Sequence, residues 1–198
     1  MNISISLTEL LGFITGAACV WLLVKQSIWN WPVSIANFIF SIVLFYNSRL
    51  YGDMSLQFVF IIVSLYGWWN WVYGAKDRAE LPVTRVASAA MMVLLAATVV
   101  MTLVFHYVLQ TYTPSTTPWP DAVTTALSLT AIYMQSRKWI ENWVVWIIAD
   151  VLYIGLYIYK HLNLYAVLYV LFMGMCVAGY VEWRKSLGAA AAPETVIA

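Results

Sequence analysis

An aspartate lies in the middle of one of the most apolar stretches of this chain. In WIENWVVWIIADVLYIGLYIYK, residues 139–160, three tryptophans precede Asp150 and three tyrosines follow it. On a helix, residues at spacings of three and four share a face. One such face carries Asn142, Trp143, Trp146, Asp150, Tyr153 and Tyr157. We expect it to form an aromatic slot with a carboxylate at its floor, which suits a flat cation because the faces of aromatic rings attract positive charge.

The same residues also have a purely structural interpretation. Trp139 and Trp143 fit a tryptophan belt at a membrane interface, and Asp150 would then only hydrogen-bond to a neighbouring helix. Trp146 and Asp150 lie too deep for a belt, since Asp150 is about 12 Å along the helix. A charge at that depth costs at least about 2.5–3.5 kcal/mol unless it faces a cavity or a partner. We therefore expect Asp150 to contact a ligand or a hydrogen-bond donor.

Polar side chains also mark two earlier helices. The second predicted helix carries on one face Asn30, Ser34, Asn37 and Ser41, and the third carries Gln57, Ser64 and Trp68. Amides buried between spans commonly hydrogen-bond from helix to helix, at about 0.6–2 kcal/mol each. Each of these residues is therefore as good a candidate for packing as for ligand binding, and their convergence from both halves of the chain favours a binding site.

The composition places these helices in a membrane. Of 198 residues, 63% are hydrophobic and 10% are charged, whereas soluble domains are usually about 45–50% apolar and about 25% charged. The net charge of +1 is too small to indicate nucleic-acid binding. Both cysteines lie in apolar runs and are interpreted as packing residues. Because the histidines and acids form no metal-binding or catalytic set, we predict no cofactor, no metal and no enzymatic activity.

Seven apolar segments are interpreted as membrane spans of about 20 residues. They cover residues 9–24, 31–47, 53–72, 86–109, 121–136, 143–159 and 163–183. No Lys or Arg precedes Lys25, so the first segment is interpreted as a span and not as a signal peptide. The fifth segment is short and rich in Thr and Ser, and we expect it to face protein or water instead of lipid.

The basic residues predict the orientation of the spans. One side of the membrane receives Lys25, Lys76, Arg78, Arg85, Arg137, Lys138, Arg184 and Lys185, and the other side only Arg49 and Lys160. Basic residues concentrate on the cytoplasmic side of membrane proteins. We therefore predict an N-terminus outside and a C-terminus in the cytoplasm.

The chain contains an internal repeat with an offset of 112 residues. Residues 28–71 align without a gap on residues 140–183, and twelve of the 44 positions are identical. The identical pairs include Asn30/Asn142, Trp31/Trp143, Gly67/Gly179 and Trp71/Trp183, whereas Gln57 aligns with Tyr169. Chance matching would give roughly three identities, so the repeat indicates a duplication.

The repeat predicts the organisation of the chain. Residues 1–73 and 118–185 form two three-helix repeats, residues 74–117 form a loop and a connecting fourth helix, and residues 186–198 form a disordered cytoplasmic tail. The odd connecting helix restores the starting side, so both repeats run in the same direction. Parallel repeats are typical of transporters with a substrate site near the midplane, and a structural membrane protein that arose by duplication is the alternative.

Two stretches resemble the PnuC family of vitamin transporters: LYGDMSLQFVFIIVSLYGWWNW, residues 50–71, and RKWIENWVVWIIADVLYIGLYIYKHLNLYAVLYVLF, residues 137–172. The resemblance extends from about residue 9 to residue 185. It implies an all-α membrane fold of seven helices in a 3+1+3 parallel-repeat arrangement, like that of the SWEET sugar carriers. It also implies uptake by facilitated diffusion across the bacterial inner membrane, with phosphorylation trapping the vitamin in the cytoplasm, and a homo-oligomer, often a trimer.

The resemblance further implies a cationic aromatic substrate, nicotinamide riboside or thiamine. Asn37, Gln57, Asn142, Trp143 and Trp146 match positions expected of nicotinamide riboside carriers. Asp150 departs from that pattern because some of those carriers have an amide there, and the segments TPSTTPWPDA and DVLYIGLYIYK are more similar to thiamine-type members. A riboflavin transporter and a SWEET-like sugar carrier are the alternatives; a sugar carrier is disfavoured because no Pro-Gln dipeptide occurs.

The expected partners are a small-molecule vitamin and membrane lipid, without nucleic acid. The predicted substrate-binding residues are Asn37, Gln57, Trp68, Asn142, Trp143, Trp146, Asp150, Tyr153 and Tyr169.

Overall fold

The computed structural model describes residues 7–47, 51–75, 80–161 and 163–190. Within these ranges the chain forms seven helices: α1 (Leu7–Val24), α2 (Asn30–Asn47), α3 (Tyr51–Tyr73), α4 (Ser88–Tyr112), α5 (Pro118–Ser136), α6 (Asn142–Tyr159) and α7 (Asn163–Ala190). Except for the end of α7, every boundary lies within three residues of its predicted position. The apolar runs and the turn residues between them were therefore sufficient to predict the helices.

The C-terminal boundary differs from the prediction. α7 extends to Ala190, so residues 186–190 continue the helix and do not begin a disordered tail. Residues 191–198 lie outside the described residues. The same is true of Arg49, Lys76 and Arg78, three of the basic residues on which the predicted orientation rests.

Four helical stretches of the described chain are long and apolar enough to cross a membrane: Met54–Tyr73, Ser88–Tyr112, Asn142–Tyr159 and Leu164–Leu187. Two shorter apolar stretches cover Ile14–Val24 and Asn30–Val43. α5 has a different character, since eleven of its 19 residues are buried, among them Thr124, Ser128 and Thr130. The prediction that this Thr- and Ser-rich segment faces protein is confirmed.

Six helices form a closed ring in the order α1, α2, α3, α5, α6 and α7, with α7 packing back on α1. α4 lies outside this ring; it packs on α5, and none of its residues is buried. The first helix of each predicted repeat thus contacts the third helix of the other repeat, α1 with α7 and α5 with α3.

The offset of 112 residues recurs in the helix boundaries. α2 and α6 begin at Asn30 and Asn142, and each is 18 residues long. α3 and α7 begin at Tyr51 and Asn163, which differ by the same offset. The two halves therefore repeat in secondary structure as well as in sequence.

The ends of α1 and α5 also match. The N–H groups of Ser27 and Trp139 bond to the carbonyls of Leu22 and Met134, at 2.9 and 3.1 Å, which is the six-residue closure of a Schellman cap. In these caps Gln26 and Lys138 have φ of 54° and 51°, at the position where glycine is the common residue.

Four tryptophans join the two halves, and we call Trp31, Trp71, Trp143 and Trp183 the tryptophan quartet. Within each half the rings pack edge to face at 5.4 Å, Trp31 on Trp71 and Trp143 on Trp183, and Trp71 lies 6.1 Å from Trp183. The Trp71 indole N–H donates to the carbonyl of Gln135, and the Trp183 indole N–H to that of Leu23, both at 3.1 Å. The two repeats are thus bonded to each other reciprocally.

The connection between α3 and α4 covers the same end of the ring. The Thr84 N–H donates to the Lys138 carbonyl at 3.1 Å, and the Thr84 carbonyl accepts from the Ile140 N–H at 3.0 Å. Val83 is buried in the core cluster that contains the quartet, and the Glu141 carboxylate accepts from the Val86 N–H at 3.0 Å. We call this end, formed by residues 25–29, 80–87 and 137–141, the basic end, and the other the opposite end.

Candidate functional site

The structure distributes the nine predicted site residues over several environments. Asn142 and Trp143 lie in the core of the basic end, and Asp150, Tyr153 and Tyr169 lie deeper between α6 and α7. Asn37 faces α1, whereas Trp68 is 38% exposed on α3. No described contact joins Trp68 to the other eight residues.

Asn142 and Trp143 are fully buried components of the basic end. The Asn142 amide donates to the Trp139 carbonyl at 2.6 Å, and a Cβ added at Gly179 would overlap the Trp143 ring. Among the described residues, the Asn142 carbonyl oxygen and the Trp143 indole N–H have no hydrogen-bond partner. In this conformation both residues pack the scaffold and do not line the expected slot.

Asp150 lies near the middle of α6 and is only 4% exposed although it is ionisable. The Cys176 thiol on α7 donates to its carboxylate, with Sγ and Oδ2 3.6 Å apart. In the described part of the chain no Lys, Arg or His forms an ion pair with it. Trp146, one turn earlier on α6, is half-buried and packs against the core of the basic end. The expectation that Asp150 meets a hydrogen-bond donor is confirmed, and that donor is neutral.

A cluster of tyrosines lies beyond Asp150, towards the opposite end. Tyr153 and Tyr157 stack on each other at 5.9 Å, and the Tyr169 ring lies 4.8 Å from Tyr153 and 5.2 Å from Tyr157. Tyr165 lies 5.5 Å from Tyr157. The Tyr153 hydroxyl is 3.4 Å from Ser128 on α5. Two of the predicted residues, Tyr153 and Tyr169, are therefore in direct ring contact, next to the aspartate.

The first repeat presents different chemistry at the equivalent positions. The Asn37 amide donates to Thr15 Oγ1 on α1 at 2.6 Å. Phe38, which aligns with Asp150, stacks on Phe60 of α3 at 5.3 Å. Gln57 lies one turn before Phe60 and is half-buried. Asn37 thus contributes to packing between α1 and α2, and an apolar ring pair occupies the position that the carboxylate has in the second repeat.

The opposite end carries an ion pair. The Lys160 ammonium lies 3.2 Å from one carboxylate oxygen of Asp121. The other oxygen accepts from the hydroxyls of Ser115 and Thr117, at 2.8 and 3.0 Å. This group joins the α4–α5 connection to the end of α6. Within the described ranges no group of three or more His, Cys, Asp or Glu residues is arranged to hold a metal ion.

Two hollows lie at the basic end, and none of the nine predicted residues lines either of them. The smaller, of about 170 Å³, lies beside Asn70, Thr84 and Arg137. The larger, of about 660 Å³, lies beside Lys25, Gln26 and Lys138.

Sequence reasoning missed several of the residues described above. Cys176, Thr15 and Ser128 contact predicted residues from other helices, and no spacing along one helix indicates such a contact. For Lys138 a signal was available, because a lysine follows the end of α5 at the position where a helix cap usually has glycine.

Comparison with known proteins identifies the family. Residues 6–185 match the family model described as nicotinamide mononucleotide transporter. The riboflavin/roseoflavin transporter RibM of Streptomyces davaonensis is 30% identical over 182 residues, which cover 89% of this chain and 84% of the relative. The nicotinamide riboside transporter PnuC of Escherichia coli is 23% identical over 207 residues, covering 92% and 87%.

A solved structure shares the fold. The crystal structure of the vitamin B3 transporter PnuC superimposes with a TM-score of 0.71 at 24% identity, and covers 90% of this chain and 80% of that chain. These relatives are transporters, so the prediction of a protein without enzymatic activity is confirmed. Together with the match over residues 6–185, they confirm the resemblance seen in the sequence: the chain belongs to the PnuC-type nicotinamide mononucleotide transporter family of membrane transporters.

Proposed function

We propose that this protein carries a positively charged aromatic vitamin or vitamin precursor, nicotinamide riboside or thiamine, into the bacterial cell. The observation that supports a cationic substrate is the environment of Asp150. Its carboxylate is buried within a span, and its described partner is a neutral thiol 3.6 Å away. A buried carboxylate is costly unless a positive charge or several donors compensate it. A bound cation supplies that compensation.

The neighbouring rings suit the same ligand. Tyr153 lies one turn from Asp150 on α6, and Tyr169 packs on Tyr153 at 4.8 Å. Aromatic faces stack on flat rings and attract cations. A ligand that places its charged ring beside Asp150 would therefore gain ion pairing and stacking from adjacent turns of α6 and α7. Trp146 on α6, one turn before Asp150, and the half-buried Gln57 on α3 complete the proposed site.

The proposal includes the architecture. The closed ring of six helices and the shared offset of the helix starts support a 3+1+3 arrangement of seven spans in parallel repeats, with α4 as the connecting span. Lys25, Arg85, Arg137 and Lys138 lie at the basic end, which supports a cytoplasmic location of that end. In such repeats the substrate site lies near the midplane, the depth at which Asp150 lies on α6.

We propose transport by facilitated diffusion, with phosphorylation in the cytoplasm trapping the product. The described spans hold no second carboxylate or histidine paired with Asp150, and proton relays usually need a chain of such groups. In liposomes containing the purified protein, we expect the ligand to equilibrate without exceeding its outside concentration. Accumulation driven by a proton or sodium gradient would refute this mode of transport.

A neutral substrate of the riboflavin type is the second candidate. It is favoured by the relative RibM, whose similarity covers 89% of this chain. Riboflavin is also flat and aromatic, so the tyrosines suit it, but it carries no positive charge to compensate Asp150.

One experiment separates the two candidates. Asp150→Asn retains size and hydrogen bonding, and removes the charge. We expect it to weaken binding of nicotinamide riboside or thiamine by about tenfold or more, as for other lost charge-assisted contacts, and to leave riboflavin binding unchanged. Calorimetry on detergent-purified protein measures all three ligands. Asp121→Asn, at the opposite end, is the matched control and should leave the affinity for cations within about twofold.

The competing results are also specific. Binding of riboflavin alone, insensitive to Asp150→Asn, would establish the second candidate. If a cation binds equally well to both proteins while the variant melts earlier, Asp150 is a structural hydrogen-bonding residue and the proposed cation site is wrong.

A further inference from the structure

The Lys138 side chain is a buried cation that forms no ion pair with any residue that the structure describes. Lys138 is 3% exposed, and its ammonium donates to the amide oxygen of Gln26 at 3.3 Å. It also lies over the Trp71 ring, 4.5 Å from the centroid. No described carboxylate lies within ion-pair distance of it. Burial lowers the pKa of the Lys138 ammonium from its usual value, and Glu80 acts against that shift.

The backbone of Lys138 adopts a conformation that is sterically unfavourable for lysine. Lys138 occupies the cap of α5 with φ of 51°, a conformation that glycine adopts without steric cost and lysine does not. Gln26 occupies the equivalent cap of α1, and its amide donates to Ser186 Oγ on α7 at 2.8 Å. Both long side chains extend from these caps towards each other, one from each repeat. Glycine would satisfy the backbone conformation at both positions, so the steric cost is linked to the contacts that these two side chains make.

The larger hollow of the basic end opens beside this pair. Its volume is about 660 Å³, and its lining includes Lys25, Gln26, Ser27, Lys138 and Ser186. Ser186 Oγ accepts from Gln26, so its own hydroxyl hydrogen remains available for donation. Two ammonium groups and two hydroxyls thus line one concavity, and among the described residues of its lining Glu80 is the acidic one. A hollow of this size is in the range of small-molecule sites.

We infer that this hollow binds a phosphate group, with Lys138 as its central ligand and Lys25, Ser27 and Ser186 as further donors. Phosphate oxygens accept charge-assisted hydrogen bonds from ammonium and hydroxyl groups. A bound phosphate would compensate the buried ammonium, whose described hydrogen-bond acceptor, the Gln26 amide oxygen, is neutral. The site lies at the basic end, away from Asp150, and its existence does not depend on the transported substrate.

Two sources offer this chemistry, a soluble phosphate ester and the headgroup of an anionic phospholipid. The test uses the full-length protein in nanodiscs of phosphatidylcholine alone or with phosphatidylglycerol. Thermal unfolding is followed against glycerol 3-phosphate, with sodium chloride at the same ionic strength as the reference. A rise in Tm with glycerol 3-phosphate in phosphatidylcholine identifies the soluble source, and a rise only with phosphatidylglycerol identifies the lipid.

Variants connect either response to this hollow. Lys138→Met should raise the concentration of glycerol 3-phosphate, or the fraction of phosphatidylglycerol, that gives half of the rise in Tm. We expect an increase of about tenfold or more, because the variant removes a charge-assisted contact. Glu80→Gln, an exposed position, should lower that concentration or fraction by severalfold, since it removes the opposing charge. Lys185→Met is the matched control; Lys185 is exposed, pairs with Glu182 at 2.8 Å and does not line the hollow. This control should leave the response unchanged.

Three results would overturn the inference. The first is no rise in Tm with glycerol 3-phosphate or with phosphatidylglycerol. The second is an equal loss of affinity in Lys138→Met and Lys185→Met. The third is an affinity that Glu80→Gln does not increase. The Glu80 variant decides the matter if Lys138→Met fails to fold, because it changes an exposed side chain and predicts a gain.

Discussion

The two repeats are alike at the basic end and unlike in the middle of the bundle. At the basic end Trp31 and Trp143 pack in the same way on their partners Trp71 and Trp183, with the same ring separation of 5.4 Å. Further along α2 and α6, Phe38 aligns with Asp150, and on α3 and α7 Gln57 aligns with Tyr169. Residues retained in both halves therefore form the scaffold, whereas the divergent positions hold the chemistry of the proposed site.

One pair shows how equal residues acquire unequal environments. The Asn30 side-chain oxygen accepts from the Gln135 amide at 3.1 Å. The residue equivalent to Gln135 in the first repeat is Leu23, which offers no donor. The Asn142 oxygen is accordingly buried without a partner in the part of the chain that the structure describes.

We expect the largest loss of stability where a glycine packs directly against a tryptophan ring of the quartet. A Cβ added at Gly67 would overlap the Trp31 ring, and one at Gly179 would overlap the Trp143 ring. We expect Gly67→Ala and Gly179→Ala each to lower the free energy of unfolding by about 1–3 kcal/mol, as overpacking does. Thermal unfolding in detergent measures this loss. Gly174→Ala is the control, since nothing lies within 4 Å of its added Cβ. Unequal losses at the two tight positions would contradict the equivalence of the repeats.

The same contrast explains what the sequence could predict. Apolar runs and turn residues determined the helices, and the repeat predicted their pairing in two halves. The periodicity of α6 also placed Asp150 and Tyr153 on one face. Both residues do contact α7, Asp150 at Cys176 and Tyr153 at Tyr169. The periodicity could not show that Trp143 on that face packs against Gly179 of α7, because contacts between helices depend on how each helix is rotated. The Asn142 amide instead turns back to the Trp139 carbonyl at the start of its own helix. The identity of Asn142 and Trp143 in both repeats was a signal for scaffold that composition alone does not give.

The next-largest expected effect is a loss of ligand affinity at Tyr169, a position at which the two repeats differ. We expect Tyr169→Ala to weaken binding of the proposed cationic vitamin by about 1–3 kcal/mol, the range for a lost aromatic stacking contact. Trp68→Ala, at an exposed aromatic of α3, should have no measurable effect although Trp68 was among the predicted residues. Calorimetry with the ligand identified by the Asp150 experiment measures both. A larger loss at Trp68 would move the site to the outer face of α3.

A smaller effect distinguishes members of the tryptophan quartet. Tryptophan to phenylalanine reduces volume at all four positions, so the indole N–H makes the difference between them. The indole N–H is hydrogen-bonded in Trp71 and Trp183, whereas in Trp31 and Trp143 it has no partner within the described ranges. We expect the substitutions at Trp71 and Trp183 to be more destabilising by about 1 kcal/mol, because they lose a hydrogen bond whereas the others remove an unpaired buried donor. Equal melting temperatures for all four variants would show that these bonds contribute nothing.

The smallest effect concerns the unpaired oxygen of Asn142. Leu23→Gln would give the first repeat the amide that Gln135 provides in the second, and place a donor near that oxygen. The new hydrogen bond should contribute about 0.5–1.5 kcal/mol, which offsets only part of the roughly 1.5–3 kcal/mol that burial of the leucine contributes, so Leu23→Gln should lower the unfolding free energy by about 1 kcal/mol. Gln135→Leu, which leaves Asn30 unpaired, should instead cost about 1–3 kcal/mol. Combining Leu23→Gln with Asn142→Leu removes the acceptor and should restore the full penalty of a buried, unpaired glutamine. Additive effects in this double-mutant cycle would mean that the two side chains do not interact.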